Sequence, residues 1–466
     1  MYIMINLVIL IRGAAAHVEH DKYVQQVVDS RMTRPSALRR SSKICAPVIS
    51  STDPWVDHLL FESTDDGLGL EIQDGTPAAS FLQATWPIAT DELLKYAVTD
   101  VTRSADDESD GKVHAYTPFR LSRWFQALDA LTADVAYRHT HGVARDLVMV
   151  TASHYNSIKL RRTFTGRDLT IRCYVTAASS SSLEVRTDAL QLDDNGNECL
   201  VNVCHTAMVA LDKRTMRPCK GAVPPIVLPP ASDGPEAQAA HERVALAAQH
   251  RSQQARERAV QMSTRIGGAS QPPTTDEMTA VHELHRKAVA AKGSPAPRMD
   301  LPDDIAMHTH VSSTVVFPND RNVHGKAFGG FVIRSAYDLA YLAARYFTRG
   351  KPFVPVGFDD AIFVQPVAIG DMVRFTARVV HSGDDGVFRV FVTMDVIEPT
   401  DPDRLPQRSN NLMFVFAANP ECRRSVLPTT YSEVLMHVKA ARNHASRGLS
   451  PTVREDLAAF FSDAPS

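Results

Sequence analysis

The chain repeats itself. Ser157-Ile158-Lys159-Leu160 followed by Gly166 lines up with Ala361-Ile362-Phe363-Val364 followed by Gly370, an offset of 204 residues (361 − 157). Each glycine precedes an alternating apolar stretch, Leu169, Ile171 and Cys173 in the first case and Val373, Phe375 and Ala377 in the second. A helical pattern upstream of each stretch aligns at an offset near 208, so a small insertion or deletion separates helix from strands. A duplication of this kind requires both halves to carry the same elements in the same order. With 466 residues, the chain is long enough for two cores plus terminal segments.

The local patterns agree with that requirement. Leu121 to Tyr137 carries Trp124, Ala127, Leu128, Leu131 and Val135 at helical spacing. Strand patterns follow within Leu147 to Leu211, at Asp168–Val175, Ser182–Leu192 and Cys199–Leu211, with turns at Gly166, Ser179–Ser181 and Asp193–Gly196. In the second half, His308–Phe317 reads as a strand and Gly329–Phe347 as a helix. Strands follow at Ala361–Val364, Met372–Val380, Val387–Val396 and Asn411–Ala417. A long helix followed by an antiparallel meander, twice over, predicts an α+β fold in which each helix is wrapped by a curved sheet. Two such units can pair as a homodimer would, within one chain.

These patterns set the expected boundaries: a leader and irregular segment at 1–80, a first domain at 81–217, a linker at 218–302, a second domain at 303–440 and a tail at 441–466. The linker is proline-rich near 218–232. Beyond that it carries an exposed polar helix over Glu236–Met262 and a second helix from Asp276 to Lys292, entered at Thr275.

Composition excludes several functions. A formal net charge of −3 supports neither nucleic acid nor an anionic membrane as partner. The six cysteines are scattered, and Cys199, Cys204 and His205 lack zinc spacing, which suits a reducing compartment. His282-Glu283-Leu284-His285 places its histidines three apart, not the four of a zinc protease helix. The apolar run Met1–Ile11 is too short to span a bilayer. Arg31, Arg34, Arg39, Arg40 and Lys43 among serines fit a mitochondrial transit peptide, although Glu19, Asp21 and Asp29 interrupt it and Ala14–Ala16 would suit a secretory signal.

The stretch with chemical content is Pro318 to Asp338, PNDRNVHGKAFGGFVIRSAYD. Turn residues lead to Gly325, and Gly329-Gly330 open a helix. Glycines let backbone approach a ligand. The first turn of a helix offers N–H groups and the positive end of a dipole, a setting that stabilises a carbonyl oxygen as it gains charge. An ordinary glycine-rich helix start would read the same way.

Taken together, Asn322-x-x-Gly325-x-x-Phe328-Gly329-Gly330-Phe331 and Arg334-x-Ala336-Tyr337-Asp338-Leu339-Ala340 resemble the tandem hotdog-fold acyl-coenzyme A thioesterases, and most of all their mitochondrial branch. Val356-x-x-Asp359-Asp360-x-x-Phe363-x-x-Pro366-Val367-x-x-Gly370 and Asn411-x-x-Phe414-x-Phe416 are similar too. In the first copy, Arg123-x-x-x-x-Leu128-Asp129-x-Leu131 and Tyr137-x-His139 match, with a weaker match at Val281-His282-Glu283. The resemblance covers roughly residues 85 to 435.

The resemblance implies an intramolecular double hotdog that hydrolyses acyl-CoA to a fatty acid and coenzyme A. In such relatives an Asn before the helix of one copy faces an acid on the helix of the other. Asn322 matches the former and Asp129 the latter, with Asp338 and Asp134 as alternative acids. Tyr337 occupies the acid position of the second copy, while Ser122 and Arg123 replace glycine and phenylalanine in the first. One complete and one degenerate site are therefore expected. Gly329 and Gly330 would serve the oxyanion, with His324 and Arg123 near the substrate. Arg321, Lys326 and Arg334 could meet coenzyme A phosphates. Asp359 and Asp360 are expected to shape the start of a strand. No metal or redox cofactor is implied, and no integral membrane span. A homo-oligomer is implied, with a trimer of double units as one form it can take. The alternative is a catalytically silent acyl-CoA-binding or scaffold protein. A hydratase would want an Asp-x-x-x-x-His arrangement, which the helix start lacks.

Overall fold

A computed structural model describes residues 81–90, 121–140, 147–159, 167–226, 272–290, 307–398 and 405–462, apart from scattered positions within those ranges. The leader, the acidic loop at 105–111 and nearly all of the expected helix 236–262 lie outside the described residues.

The first copy runs β1 (Leu82–Trp86), α1 (Leu121–His139), β2 (Leu147–Lys159), β3 (Leu169–Ala178), β4 (Ser182–Leu192) and β5 (Glu198–Asp212). The linker contributes α2 (Thr275–Ala290). The second copy runs β6 (His310–Val315), α3 (Gly329–Phe347), β7 (Phe353–Phe363), β8 (Met372–Ser382), β9 (Val387–Ile397) and β10 (Gln407–Ala418), followed by α4 (Tyr431–Ser446) and α5 (Pro451–Ser462). The helices α1 and α3 correspond at an offset of 208 at both ends (329 − 121 and 347 − 139). Strands β2 and β7 end 204 residues apart (363 − 159).

Strand order repeats as well. It is β1-β3-β4-β5-β2 along the first copy and β6-β8-β9-β10-β7 along the second. Each leading strand pairs antiparallel with the second strand after its helix: Leu82 opposite Cys173 in β1–β3, and His310 opposite Ala377 in β6–β8. Identical permuted orders do not arise from shared composition. The duplication is therefore a duplication of topology, and each copy has the hotdog arrangement of one long helix laid on an antiparallel sheet. β1 was not expected from the sequence. Five residues are too few to establish a period, and its pairing partner lies 91 positions away (173 − 82).

By internal contacts the chain forms two compact units. Of the described residues, one unit holds those up to Val150 with those within Thr163–Val201 and Met208–Ala248; the other holds those within Thr151–Arg162, Asn202–Ala207 and Gln249–Ser466. In the first unit, α1 buries Leu121, Trp124, Phe125, Leu128 and Val135. Trp124 meets Trp86 edge to face at 6.4 Å. The Tyr137-x-His139 pair fastens the end of that helix. The Tyr137 hydroxyl accepts the Met149 N–H at 3.1 Å, and His139 Nε2 lies 3.0 Å from the Pro224 carbonyl.

In the second unit, α3 packs on one face of the meander. Tyr337 stands edge-on to Phe414 at 5.6 Å and tilted to Phe416 at 6.1 Å, and Phe358 meets Phe414 at 6.4 Å. The opposite face is covered as well. Met436 and Ala440 of α4 pack with Ile362, Val380, Phe391 and Met413. Val453 and Leu457 of α5, with Leu449, pack against Val356, Val387, Val415 and Ala417. Burial on both faces explains why β9, VFRVFVTMDVI, reads as a nearly continuous apolar run and not as an alternation. The expected tail at 441–466 therefore joins residues 431–440 of the expected second domain in supplying the second layer of this unit. The start of α4 is fixed locally. Thr430 and Glu433 form a reciprocal capping box, with Glu433 N–H to Thr430 Oγ1 at 3.2 Å and Thr430 N–H to Glu433 Oε2 at 3.1 Å. Pro451 opens α5, where its missing N–H costs nothing.

The linker helix packs on that layer. Val281 joins Val434 and Val438, while Arg442 donates to both carboxylate oxygens of Glu277 at 2.7 and 2.8 Å. α2 begins one residue earlier than expected because Thr274, not Thr275, caps it: Glu277 N–H reaches Thr274 Oγ1 at 3.3 Å.

Candidate active site

The loop between β6 and α3 folds because three local devices agree. Pro318–Asp320 form a single 3-10 turn, and Asp320 closes it by accepting the Phe317 N–H on Oδ2 at 3.2 Å. Gly325 sits at φ +70, in the left-handed region that favours glycine. The Asp320 carbonyl then accepts the Phe328 N–H at 2.8 Å, bringing the end of the loop back to its start.

Inside that loop Asn322 is held at four points. Its N–H donates to the Lys326 carbonyl at 2.7 Å, and its carbonyl accepts the Gly325 N–H at 3.1 Å. Its side-chain Oδ1 accepts the N–H groups of His324 at 2.9 Å and Lys326 at 3.1 Å. Two donors on one oxygen fix which end of the amide is which. The oxygen faces the turn, so the NH2 group faces away from it. Asn322 is half-buried and presents hydrogen-bond donors.

The start of α3 lies next to this amide in sequence. Phe328 is its N-cap, in extended conformation at φ −72 and ψ 130, and its own side chain makes no cap hydrogen bond. Val332 N–H makes the first helical bond, to the Phe328 carbonyl at 3.2 Å. The first turn of this 19-residue helix contains no acidic residue, and its N-terminus is the positive end of the helix dipole. Gly329 is half-buried and Gly330 buried.

Asn322, His324, Gly325, Gly329 and Gly330 thus share one loop–helix junction in the second unit. His324 contributes its backbone N–H to the Asn322 oxygen, which is a structural duty in itself. Asp338 lies on α3 but is exposed. Arg321 and Lys326 are exposed on the loop, and the Arg334 guanidinium lies 6.0 Å from the Phe331 ring centroid. Tyr337, at the acid position of this copy, is 1% exposed within the aromatic core.

The remaining candidates are in the first unit, on α1. Asp129 is 6% exposed, and its carbonyl accepts the Thr132 hydroxyl at 3.1 Å. Asp134 is engaged one turn before the helix end, in an i,i+4 pair with Arg138 at 3.0 Å. Arg123 is on the helix, and its side chain lies outside the described residues. Ser122, at the position of Gly330, is fully buried with no hydrogen-bond partner for its hydroxyl.

The pair Asp359 and Asp360 plays a different part from the one expected. Both are inside β7 and 2% exposed, not at a strand start. Asp359 accepts from Arg389 Nε at 2.9 Å and from Asn443 Nδ2 at 3.1 Å. Sequence reasoning also missed Asp371, which braces the turn behind the Asn322 loop. Its signal was the Ile-Gly-Asp turn after Pro366-Val367-Ala368. Among the described residues, no group of three or more His, Cys, Asp or Glu is placed to hold a metal ion, and no helix is long and apolar enough to cross a membrane.

Two tandem hotdog copies, with a glycine-opened helix after an asparagine donor, define a tandem hotdog protein. No family model matches the chain. Over 391 residues it is 24% identical to acyl-coenzyme A thioesterase 10, mitochondrial, of Mus musculus, covering 81% of this chain and 80% of that one. Over 424 residues it is 24% identical to acyl-coenzyme A thioesterase 9, mitochondrial, of Homo sapiens, covering 88% of each. Acyl-CoA thioester hydrolase YciA of Escherichia coli strain K12 is 29% identical over 122 residues, 25% of this chain and 89% of its own, about the length of one copy. The chain is similar, over about four-fifths of its length, to the family that its motifs resemble.

Proposed function

We propose that this protein hydrolyses acyl-CoA thioesters to a free acid and coenzyme A. The observation that carries the reading is the orientation of Asn322. Its oxygen is occupied by two backbone N–H groups, so its amide is a donor directed away from the loop. Such a donor suits a thioester carbonyl or an attacking water, beside a helix start that favours developing negative charge. Similarity along both copies to acyl-CoA thioesterases supports the same reading.

The step proposed is attack by water on the thioester carbonyl carbon. Asp129 takes the water proton as general base, Asn322 donates to the carbonyl oxygen or the water, and the N–H groups at Gly329 and Gly330 receive the oxyanion. The C–S bond then breaks, and the thiolate of coenzyme A leaves and takes up a proton. In this proposal Asp129 belongs to the copy at residues 81–217 and Asn322 to the copy at 303–440, with 218–302 as the link. Tyr337, walled in by Phe414 and Phe416, supports a second site that has lost its acid. A mitochondrial location, as in the named relatives, and assembly into a homo-oligomer complete the proposal.

The test is Asp129→Asn with acyl-CoA, following thiol release and binding separately. An enzyme of this design loses turnover and still binds acyl-CoA. Wild-type protein that binds acyl-CoA but releases no thiol would instead be a silent binder.

A further inference from the structure

The turn at residues 368–371 grips the Asn322 loop on both sides. Upstream, Gly370 N–H donates to the Val316 carbonyl at 2.8 Å, and Val316 N–H donates to the Asp371 carbonyl at 3.0 Å. Downstream, Ala327 N–H donates to the Val367 carbonyl at 2.9 Å, and Lys326 pairs with Ala368 in an antiparallel bridge. The turn itself is closed in both directions by one residue. Ala368 N–H donates to Asp371 Oδ2 at 2.8 Å, and Asp371 N–H returns to the Ala368 carbonyl at 3.3 Å. Gly370, at φ +92, lets the chain reverse there.

Lys326 is the shared contact. Its main chain pairs with Ala368 on one side and makes two hydrogen bonds to Asn322 on the other, one to the side-chain oxygen and one from the backbone N–H. The order of contact is therefore Asp371 carboxylate, Ala368, Lys326, Asn322 amide. We propose that Asp371 is a positioning residue for catalysis, one that fixes the direction of the Asn322 amide through the 368–371 turn. This rests on the reading of Asn322 given above. Without the carboxylate, Ala368 N–H loses its partner, the turn loosens, and the bridge at Lys326 loses its rigid side. Reacting groups misplaced by an ångström lose rate steeply while substrate binding hardly changes.

The experiment compares wild type, Asp371→Ala and Asp371→Asn, each alone and combined with Asn322→Ala. Octanoyl-CoA and palmitoyl-CoA are the substrates, with kcat, KM and Tm recorded. Asp371→Ala is expected to lower kcat by about 10- to 100-fold with little change in KM. Asp371→Asn keeps an oxygen for the Ala368 N–H and should recover most of the rate. Added to Asn322→Ala, Asp371→Ala should cost nothing further, because no amide remains to be positioned. A folded Asp371→Ala with unchanged kcat, losses that multiply in the double variant, or failure of Asn to rescue would each overturn the inference. Should Asp371→Ala not fold, Asp371→Glu, which displaces the carboxylate by one methylene, must lose kcat at unchanged Tm, and full activity overturns the inference. If wild type releases no thiol, the proposed function fails first. The side-chain amide resonances of Asn322 then decide: they should move in Asp371→Ala and return in Asp371→Asn, and resonances that stay put in Asp371→Ala reject the link.

Discussion

Arg389 Nε donates to Asp359 Oδ2 at 2.9 Å, and both side chains are 2% exposed. Arg389 also reaches His444 Nδ1 at 2.9 Å through Nη1, while Asn443 donates to the same Asp359 oxygen. The pair lies on the sheet face that α4 covers. Removing one partner leaves a charge buried without compensation. Asp359→Ala is therefore expected to destabilise the second unit by about 3–5 kcal/mol. Replacing the pair together, by Asp359→Leu with Arg389→Met, should cost far less. Denaturant melts of the two variants beside wild type check this, and equal losses in single and double variants would refute it.

Beside that pair stands a cluster of histidines. His381 lies 5.4 Å from His437 and 5.0 Å from His444 between ring centroids. Burial, then His437, His444 and Arg389, pushes the His381 imidazole down to about 3. Burial also lowers His437, opposed by its bond to the Val380 carbonyl. It lowers His444 too, opposed by Asp385 and Asp359 and aided by Arg389 and Arg454. Each ring takes up a proton less readily when folded than when unfolded, where the ordinary value is 6.5. Their contribution is whole above that value and is lost as pH falls below it, continuing for His381 toward its folded value. Tm should therefore drop by several degrees as pH is lowered from neutrality toward 5, and His381→Leu should flatten the drop. A Tm independent of pH over that window would contradict the assignment.

The orientation of Asn322 predicts what a carboxylate does in its place. Asn322→Asp can still accept the N–H groups of His324 and Lys326, so the loop keeps its shape. It has no donor left, and it adds negative charge where the carbonyl oxygen becomes negative. Loss of one such donor typically lowers kcat by about 10²–10³. Thiol release should fall by that factor with Tm nearly unchanged, and retained turnover would remove Asn322 from the mechanism.

Gly325 separates backbone strain from crowding. A Cβ built there meets nothing within 4 Å, yet φ is +70. Gly325→Ala should cost about 1–2 kcal/mol from the left-handed backbone alone. Gly325→Asn should cost less, because Asn tolerates that region. If the loop relaxes to relieve the strain, kcat falls in proportion for Ala more than for Asn. Equal melting and equal rates for both would show that the loop has no conformational preference at this position.

What the chain determined locally was legible from the sequence. The copy offset, the 19-residue helix at Gly329–Phe347 and the strand Ser182–Leu192 are carried by contiguous residues whose period or turn chemistry acts within a few positions. The glycine turn after Asn322 belongs to the same class. Tertiary structure alone decided the rest. That Asp359 is half of a buried pair depends on Arg389, 30 positions away, and on Asn443, 84 away. The terminal segment became a covering layer because Met436 and Val453 found apolar strand faces to bury, a term set by area removed from water and not by local preference. The Asn322 amide stands between the two classes: the N–H groups on its oxygen lie only two and four positions along the chain, while the turn at Ala368 that pairs with Lys326 lies 42 positions away (368 − 326).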